Sequence, residues 1–322
     1  MRAQVPERPA GTARQCARSV LMVRPAMFYA NPETLPTNAF QNVVAASAAE
    51  VLAVARAEFD AAGELLVRAG VGVAVLAAES SAETPDALFP NNWFSTHEDG
   101  RVVLYPMSTA NRRRERRPQA LAQLAEKHRW QIVDMVDLTG LEERGLYVEG
   151  TGSLVLDREA RIAYAALSAR THSQAVEIAC RELGYEPVAF QAHDSAGREI
   201  YHTNVLMSVG PTLAVLASAL VQPGADLRRV FDALEQTGKT LLDLSAEQVT
   251  EFAGNVLFLD AGGGTPVVAL SRRAWKSLTR PQRQLLEQHA QPVPFAVETI
   301  EHVGGGGIRC MLAEIFLPPA ER

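Results

Sequence analysis

Hydrophobic and polar residues follow one pattern in four stretches of the chain. Each stretch begins with a small polar residue or glycine, continues as an apolar strand, and turns through polar residues or glycine into a second apolar strand ending near a serine. The four begin at Asn92, Gly152, Asn204 and Asn255, so the pattern returns at intervals of roughly 50 to 60 residues. Paired apolar strands joined by a tight turn predict a β-hairpin in each stretch.

A helical pattern follows each hairpin, and a short apolar strand follows each helix. Apolar residues recur at helical spacing, and glycine ends two of the helical segments as a stop signal. The predicted helices cover 111–128, 171–184, 224–238 and 273–289, and the strands after them are IVDMVD, PVAFQ, TLLDLS and PVPFAV. The repeating unit is therefore strand–strand–helix–strand.

A fifth unit is predicted from the two ends of the chain. Its first strand runs from Cys310 to Pro318 and its second from Ser19 to Met27, with a helix over 44–69 and a strand ending at Leu76. Pairing of these terminal strands would close a ring and remove exposed sheet edges.

The pattern predicts an α/β fold, a five-bladed pseudo-symmetric α/β propeller closed by pairing the N- and C-terminal strands in one blade. Residues 19–322 would form this propeller as a single domain. Residues 1–18 are polar and basic, and they are expected to be a disordered leader. The alternative is a set of unrelated hairpins in an α/β protein.

Composition narrows the class of protein. The chain has 322 residues, 47% of them hydrophobic, and a net charge of −6. This negative charge argues against a broad surface that binds nucleic acid or a membrane. No apolar run approaches the roughly 18 residues of a membrane helix. The three cysteines, Cys16, Cys180 and Cys310, are too few and too scattered for a disulfide framework. We expect a cytoplasmic protein and leave a homo-oligomeric state open.

The starts of the first strands would meet at one end of the propeller axis. The residues there include Glu149, His202, Cys310 and several asparagines. A thiol is a good nucleophile as thiolate, which a nearby imidazolium favours. A histidine can pass a proton to a nitrogen leaving group, and a carboxylate can hold the histidine or a group rich in N–H. The glycines before Cys310 would let the backbone approach a substrate closely.

Together these residues resemble the guanidine-modifying superfamily, the penteins, which includes arginine deiminases, dimethylarginine dimethylaminohydrolases and amidinotransferases. The ending GGGGIRCM is similar to the terminal motif that carries the nucleophile in arginine deiminases. LMVRP, NAFQ, FPNNWFSTH, YPM with NRRRE, and EGTG look closest to a bacterial citrulline-utilisation hydrolase-like branch. The resemblance runs from about residue 20 to the C-terminus, and its motifs are specific only as a set.

The resemblance implies roles for matching positions. Cys310 would attack the central carbon of a guanidinium or ureido group, His202 would protonate the departing amine and then activate water, and Glu149 would bind the substrate or orient His202. A covalent thio-linked intermediate would follow, without a metal or an organic cofactor. The partner would be a small amino-acid substrate. We expect Asn92, Asn204 and Asn91 to contact it, and Arg112 to bind its carboxylate.

Two positions depart from the family pattern, which often has aspartate where this chain has Asn92 and Asn204. Because amides both donate and accept hydrogen bonds, we expect a head group less cationic than that of arginine, such as the neutral ureido group of citrulline. Asn255 is expected to be structural. An amidinotransferase and a non-catalytic propeller binding protein are the alternative functions, and a metal hydrolase lacks ligand spacing.

Overall fold

The computed structural model describes residues 14–79 and 83–320. The predicted leader therefore lies outside the described residues up to residue 13. Within its last part the expectation of disorder is wrong, because Gln15, Cys16 and Ala17 are buried. The Gln15 side chain donates hydrogen bonds to the carbonyl groups of Leu156 and Val209 and joins this segment to two different sheets.

The described part of the chain contains fifteen short strands and eleven helices. The strands are β1 (Ser19–Arg24), β2 (Gly72–Ala77), β3 (Phe94–Thr96), β4 (Arg101–Leu104), β5 (Asp134–Asp137), β6 (Val155–Asp157), β7 (Ile162–Leu167), β8 (Glu186–Gln191), β9 (Met207–Val209), β10 (Leu213–Leu216), β11 (Thr240–Asp243), β12 (Leu257–Leu259), β13 (Val267–Ser271), β14 (Gln291–Phe295) and β15 (Ala313–Ile315).

The helices lie between these strands. They are α1 (Ala48–Arg68), α2 (Ala110–Arg113), α3 (Pro118–Lys127), α4 (Gly150–Ser153), α5 (Ser173–Leu183), α6 (Thr203–Leu206), α7 (Ala225–Gln236), α8 (Ala246–Thr250), α9 (Arg272–Ser277), α10 (Arg280–His289) and α11 (Glu298–Gly304). Four 3₁₀ turns cover Pro90–Asn92, Thr139–Arg144, Ser218–Leu220 and Ile308–Met311.

The described strands form five separate three-stranded sheets, with the orders β15-β1-β2, β3-β4-β5, β6-β7-β8, β9-β10-β11 and β12-β13-β14. In every sheet the first strand of the unit is antiparallel to the middle strand, and the third is parallel to it. The predicted strand–strand–helix–strand unit is therefore confirmed. No sheet closes on itself among these residues.

The predicted pairing of the two chain ends is also confirmed. Strand β1 pairs antiparallel with β15, with Leu21 opposite Ala313, and parallel with β2. Val20 and Met22 of β1 are fully buried and pack in one cluster with Phe59 and Leu66 of helix α1. Burial of these side chains holds the N-terminal strand between the last strand of the chain and the first helix.

Two of the predicted helices are interrupted at a proline. The helix predicted over 111–128 is split into α2 and α3, because Arg117 precedes Pro118 and has a non-helical backbone (φ −133°, ψ 66°). The helix predicted over 273–289 is split at Leu278 and Thr279, where Thr279 and Gln282 form a capping box that begins α10. The proline in the first case and the capping box in the second override the continuous apolar spacing.

The candidate residues lie just before the first strands rather than on them. Asn92 ends a 3₁₀ turn, Glu149 precedes α4, and Asn204 lies within α6. Cys310 lies in the 3₁₀ turn before β15. A tight helical turn in front of each strand directs these side chains toward a shared region, as the strand-start prediction required.

Leu21→Ala should lower the free energy of unfolding by about 2–5 kcal/mol, because it removes a fully buried side chain from the sheet that joins the chain ends. Val75→Ala in the neighbouring strand β2 is the matched control. Val75 is 47% exposed, so its loss should cost about 0.5 kcal/mol or less. Urea unfolding measures both, and equal small effects would contradict the packing of β1.

Candidate active site

A buried hydrogen bond links Glu149, just before α4, to His202, just before α6. The Nε2 atom of His202 lies 2.8 Å from Oε2 of Glu149, and both side chains are buried. The backbone N–H of Ser108 donates to Glu149 Oε1 at 2.9 Å, and Arg170 Nη1 lies 3.8 Å from Oε2. Burial alone would raise the pKa of Glu149, but the bond to His202 and the charge of Arg170 outweigh it and hold the pKa at about 2.

His202 is neutral in the free protein. Burial lowers the pKa of its imidazole to about 4, although Glu149 opposes the shift. With Glu149 ionised, the ring proton belongs on Nε2, where it donates to the carboxylate. The Nδ1 atom is then free to accept a proton. It lies on the side of the ring that faces Gly152 and Asn92.

Cys310 lies between two asparagine side chains. Its Sγ atom accepts hydrogen bonds from Asn255 Nδ2 at 3.3 Å and from Asn204 Nδ2 at 3.5 Å. Burial raises the pKa of the thiol, and the Asn255 bond opposes this shift. The free protein therefore holds a thiol and a neutral imidazole in one cavity.

One small cavity is lined by both Cys310 and His202. Its other lining residues include Asn92, Asp86, Arg112, Arg170 and Tyr201. Thus two of the three predicted catalytic residues face one space, with the third hydrogen-bonded to His202. Between residues 14 and 320, excluding 80–82, no group of three or more His, Cys, Asp or Glu side chains is arranged to hold a metal ion.

The predicted substrate-binding asparagines are buried. Within the described structure, Asn92 Oδ1, Asn204 Oδ1 and both polar side-chain atoms of Asn91 have no hydrogen-bond partner. Buried polar groups are normally satisfied, so these atoms form an unused set of three acceptors and one donor. Asn92 lines the cavity and Asn204 bonds to Cys310, whereas Asn91 is not among the cavity-lining residues. Asn91 also accepts a hydrogen bond from Thr151 through its carbonyl oxygen.

Arg112 lines the cavity but is held by protein groups. Its Nε and Nη2 atoms bond to Glu115 at 3.0 and 2.9 Å, and Nη2 also donates to the carbonyl oxygen of Phe89. Burial raises the pKa of Glu115 to about 7, against the charge of Arg112. These contacts fix the position of the guanidinium in the cavity wall, and its substrate contact stays a prediction.

The glycines before Cys310 permit close packing. Gly305 adopts a left-handed backbone (φ +63°), and a Cβ there would lie 2.7 Å from Asn38 and Gln41. A Cβ on Gly306 would lie 2.9 Å from the Phe89 ring, and one on Gly307 would lie 2.7 Å from Asn255 Oδ1. Only glycine allows these neighbours to approach the turn that carries the cysteine.

A loop over residues 28–42 covers the cavity. Asp86 accepts hydrogen bonds from Asn31 at 2.7 Å and from Thr34 at 3.1 Å, and Gln41 donates to the carbonyl of Gly304 at 3.0 Å. Arg170 donates to Thr37 and to the carbonyl of Thr34. Sequence patterns offered no prediction for this loop, because its contacts are made by scattered polar residues.

The sequence analysis did not predict four residues near the reacting groups. Asp86, Arg170 and Tyr201 line the cavity, and Asn255 contacts Cys310. Asn255 occupied the same position in its unit as Asn92 and Asn204, so the repeat itself held the signal. Asp86 lies in PDALFPNN, close to the predicted asparagines. Arg170 and Tyr201 had no signal in one sequence, because their roles depend on the loop that they contact.

Comparison with known families and structures identifies the class. Residues 24–317 match the family described as "N,N dimethylarginine dimethylhydrolase, eukaryotic". The chain belongs to this family, within the pentein superfamily of guanidino-modifying enzymes. The predicted class of enzyme, a hydrolase acting on C–N bonds of guanidino compounds, is confirmed. The specific bacterial branch predicted from short motifs stays a prediction. No curated protein sequence matched the chain.

Solved structures share the fold. The N-terminal domain of ArgZ bound to product, an arginine dihydrolase from the ornithine–ammonia cycle in cyanobacteria, is 16% identical with a TM-score of 0.70, and the match covers 94% of this chain and 99% of that one. A dimethylarginine dimethylaminohydrolase adduct with 4-chloro-2-hydroxymethylpyridine is 11% identical with a TM-score of 0.62, covering 93% of this chain and 100% of that one.

A third structure is longer than this protein. The ternary complex of AgrE with ornithine and NAD⁺ is 15% identical with a TM-score of 0.70. The match covers 94% of this chain and 40% of AgrE, so this chain spans less than half the length of AgrE.

Of the helices described, none is both long enough and apolar enough to span a membrane.

Gly152→Ala should reduce kcat/KM by about 100-fold or more, because misplacement of reacting groups by about 1 Å has effects of this size. The added Cβ would lie 2.5 Å from Asn92 Oδ1 and 2.8 Å from His202 Nδ1. Gly140→Ala, where a Cβ meets nothing within 4 Å, is the control. Steady-state kinetics of both variants test the packing, and equal activities would contradict it.

Proposed function

We propose that the protein is a cysteine-nucleophile hydrolase that cleaves a C–N bond in the head group of a small guanidino or ureido amino acid. One observation carries this proposal. The thiol of Cys310 is held by the amides of Asn204 and Asn255 in the cavity that also contains His202, which is bound to Glu149. A nucleophile, a proton carrier and an orienting carboxylate share one buried space.

The raised pKa of the Cys310 thiol implies that the substrate contributes to its ionisation. Two amide N–H groups already point at the sulfur and would stabilise a thiolate. A positively charged head group, placed beside the sulfur in a space shielded from water, would add to the effect of these amides and lower the thiol pKa from its raised value. The nucleophile would then form mainly when a substrate is bound.

In the first half of the reaction, Cys310 Sγ would bond to the central carbon of the head group. The thiol proton would pass to Nδ1 of His202 and then to the departing nitrogen, which leaves as the C–N bond breaks. Glu149 would stabilise the transient imidazolium through the 2.8 Å bond to Nε2.

In the second half, His202 would take a proton from a water molecule that attacks the thio-linked carbon. The S–C bond would break, and the sulfur would recover a proton from His202. One water is consumed for each C–N bond cleaved, and the enzyme returns to a thiol and a neutral imidazole. No step of this scheme uses a metal or an organic cofactor.

The amides of Asn92 and Asn204 bear on the choice of head group. Their unpartnered Oδ1 atoms can accept N–H groups from either a guanidino or a ureido group, whereas a carboxylate would repel the carbonyl oxygen of a ureido group. Glu149 supplies negative charge near the cavity, whereas burial raises the pKa of Asp86, which lines it. We therefore propose that the pocket accepts both kinds of head group, with the neutral ureido group favoured more than in relatives that have aspartate.

We also retain the closed propeller as the arrangement that gathers the site. It is supported by packing of β15 against β3, of β6 against β9 and of β9 against β12, and by the bridge between Ala17 and Leu259. We likewise propose a cytoplasmic location and one domain over residues 19–322.

Amidino transfer would require a second amine to replace water at the intermediate.

Incubation with citrulline, arginine and methylated arginines should give a covalent adduct or a turnover product with at least one compound. Intact-protein mass after acid quench detects the adduct, and amino-acid analysis detects the product. Cys310→Ala should abolish both because it removes the nucleophile, whereas Cys180→Ala, a buried cysteine of helix α5, should leave both unchanged.

Persistence of product formation in Cys310→Ala would contradict the proposed nucleophile. Addition of a second amine, such as glycine or ornithine, separates the two chemistries. A new amidino product would show transfer, and unchanged release of ammonia or an alkylamine would support hydrolysis.

Asn92→Asp with Asn204→Asp should shift preference toward arginine relative to citrulline by about tenfold or more in the ratio of kcat/KM values. The added negative charge favours a cation and repels a ureido carbonyl, and a difference of about 1.4 kcal/mol corresponds to tenfold. Measuring kcat/KM for both substrates tests this. An unchanged ratio would contradict the role given to the amides.

A further inference from the structure

Behind the nucleophile lies a second buried acid that the proposed mechanism does not use. Glu301 in helix α11 is 0% exposed, and neither of its carboxyl oxygens has a hydrogen-bond partner in the described part of the chain. An isolated ionised carboxylate is costly in such a place. A chain keeps a group of this kind where its charge state matters or where strain is tolerated.

Glu301 borders the turn that holds Cys310. A Cβ placed on Gly307 would lie 3.3 Å from Glu301 Oε1 and 2.7 Å from Asn255 Oδ1, so the carboxyl and the amide flank the same glycine. The other end of that amide, Nδ2, donates to Cys310 Sγ at 3.3 Å. Its Oδ1 atom accepts from the same thiol at 3.8 Å, so the amide that contacts the sulfur shares its glycine neighbour with the acid.

The charged groups around Glu301 leave its charge poorly balanced. Arg273 of helix α9 is the nearest cation, with Nη1 4.0 Å from Oε2, but its Nε atom is bonded to Glu251 at 2.9 Å. Glu298 of the same helix and Glu58 of helix α1 add negative charge, and Ser271 at the end of β13 faces the carboxyl.

Burial raises the pKa of Glu301 to about 8, although Ser271 and Arg273 oppose the shift. The ordinary pKa of a glutamate is near 4.5. Between that pH and about 8, the carboxyl is therefore protonated in the folded protein but ionised in the unfolded chain. Glu301 is therefore neutral at pH 7 and becomes negative as pH rises through 8.

We propose that Glu301 is a positioning residue for the nucleophile, whose neutral carboxyl behind Asn255 lets Cys310 ionise and whose negative form opposes that ionisation. This inference rests on the proposed function of Cys310. An ionised Glu301 would place a negative charge one side chain away from the thiolate, and two like charges in a buried site disfavour each other.

The test is a titration of the Cys310 thiolate by its ultraviolet absorbance, taken as the difference from Cys310→Ser at each pH. Glu301→Gln is a neutral isostere of the protonated acid. It should lower the thiol pKa by about one unit and so give about tenfold more thiolate near pH 9. Glu298→Gln changes an exposed acid of the same helix, whose charge is screened by solvent, and should shift the titration much less than Glu301→Gln.

Glu301→Leu provides a second neutral variant, because an apolar side chain often replaces a poorly paired buried charge without loss of stability. It should lower the thiol pKa in the same direction. Thiol titrations that coincide in the wild-type protein and both Glu301 variants would overturn the inference, as would an equal shift in Glu298→Gln.

A stability measurement checks the titration of Glu301 itself. Because its pKa is raised in the folded state, the unfolding free energy of the wild-type protein should fall as pH rises from about 4.5 to 8 by an amount that both Glu301 variants lack. Equal pH dependence in all three proteins would overturn the assignment of a neutral Glu301 at pH 7.

Turnover separates this inference from the proposed function. With an active substrate, Glu301→Gln should raise kcat/KM relative to the wild-type protein above pH 8 and leave it unchanged at pH 6. A shifted thiolate titration in a protein that turns over no substrate would contradict the proposed function alone. Normal turnover with no shift of the titration would contradict the role of Glu301 alone.

Discussion

The carboxylate of Glu149 is the buried charge around which the site is organised. It has no contact with solvent, so its negative charge must be balanced by protein groups. His202 supplies the closest contact, the backbone of Ser108 supplies another, and Arg170 adds positive charge at 3.8 Å. Arg170 also reaches across to Thr34 and Thr37 of the covering loop. One buried charge therefore connects the histidine, the segment before α2 and the loop above the cavity.

The second constraint is the tight packing of turns at the entry to the first strands. Gly150 has a left-handed backbone (φ +48°), and a Cβ there would lie 2.4 Å from the carbonyl oxygen of Asn91. Gly307 packs closely against the side-chain oxygen of Asn255. The amides of Asn204 and Asn255, from neighbouring units, reach the sulfur of Cys310. The unpartnered Oδ1 atom of Asn204 is left free to accept a hydrogen bond.

The charge state of the reacting groups follows from burial rather than from residue type. A cysteine near a histidine suggests a thiolate–imidazolium pair, but desolvation favours the neutral form of both groups here, and Glu149 is ionised instead. Under the proposed mechanism, ionisation of the thiol depends on what enters the cavity and on the charge near Asn255. A thiol that is neutral in the free protein is a weak nucleophile.

The sequence by itself determined the repeating unit, the pairing of the chain ends and the group of Cys310, His202 and Glu149. These follow from short-range patterns of apolar residues and turns, which one sequence contains in full. Only the tertiary structure decided that Arg112 is bonded to Glu115, that Asn255 contacts the sulfur, that Asp86 and Arg170 hold a loop over the cavity, and that Gln15 and Cys16 are packed rather than disordered. Those features depend on contacts between residues far apart in the chain and on desolvation, and both arise only when the sheets pack together.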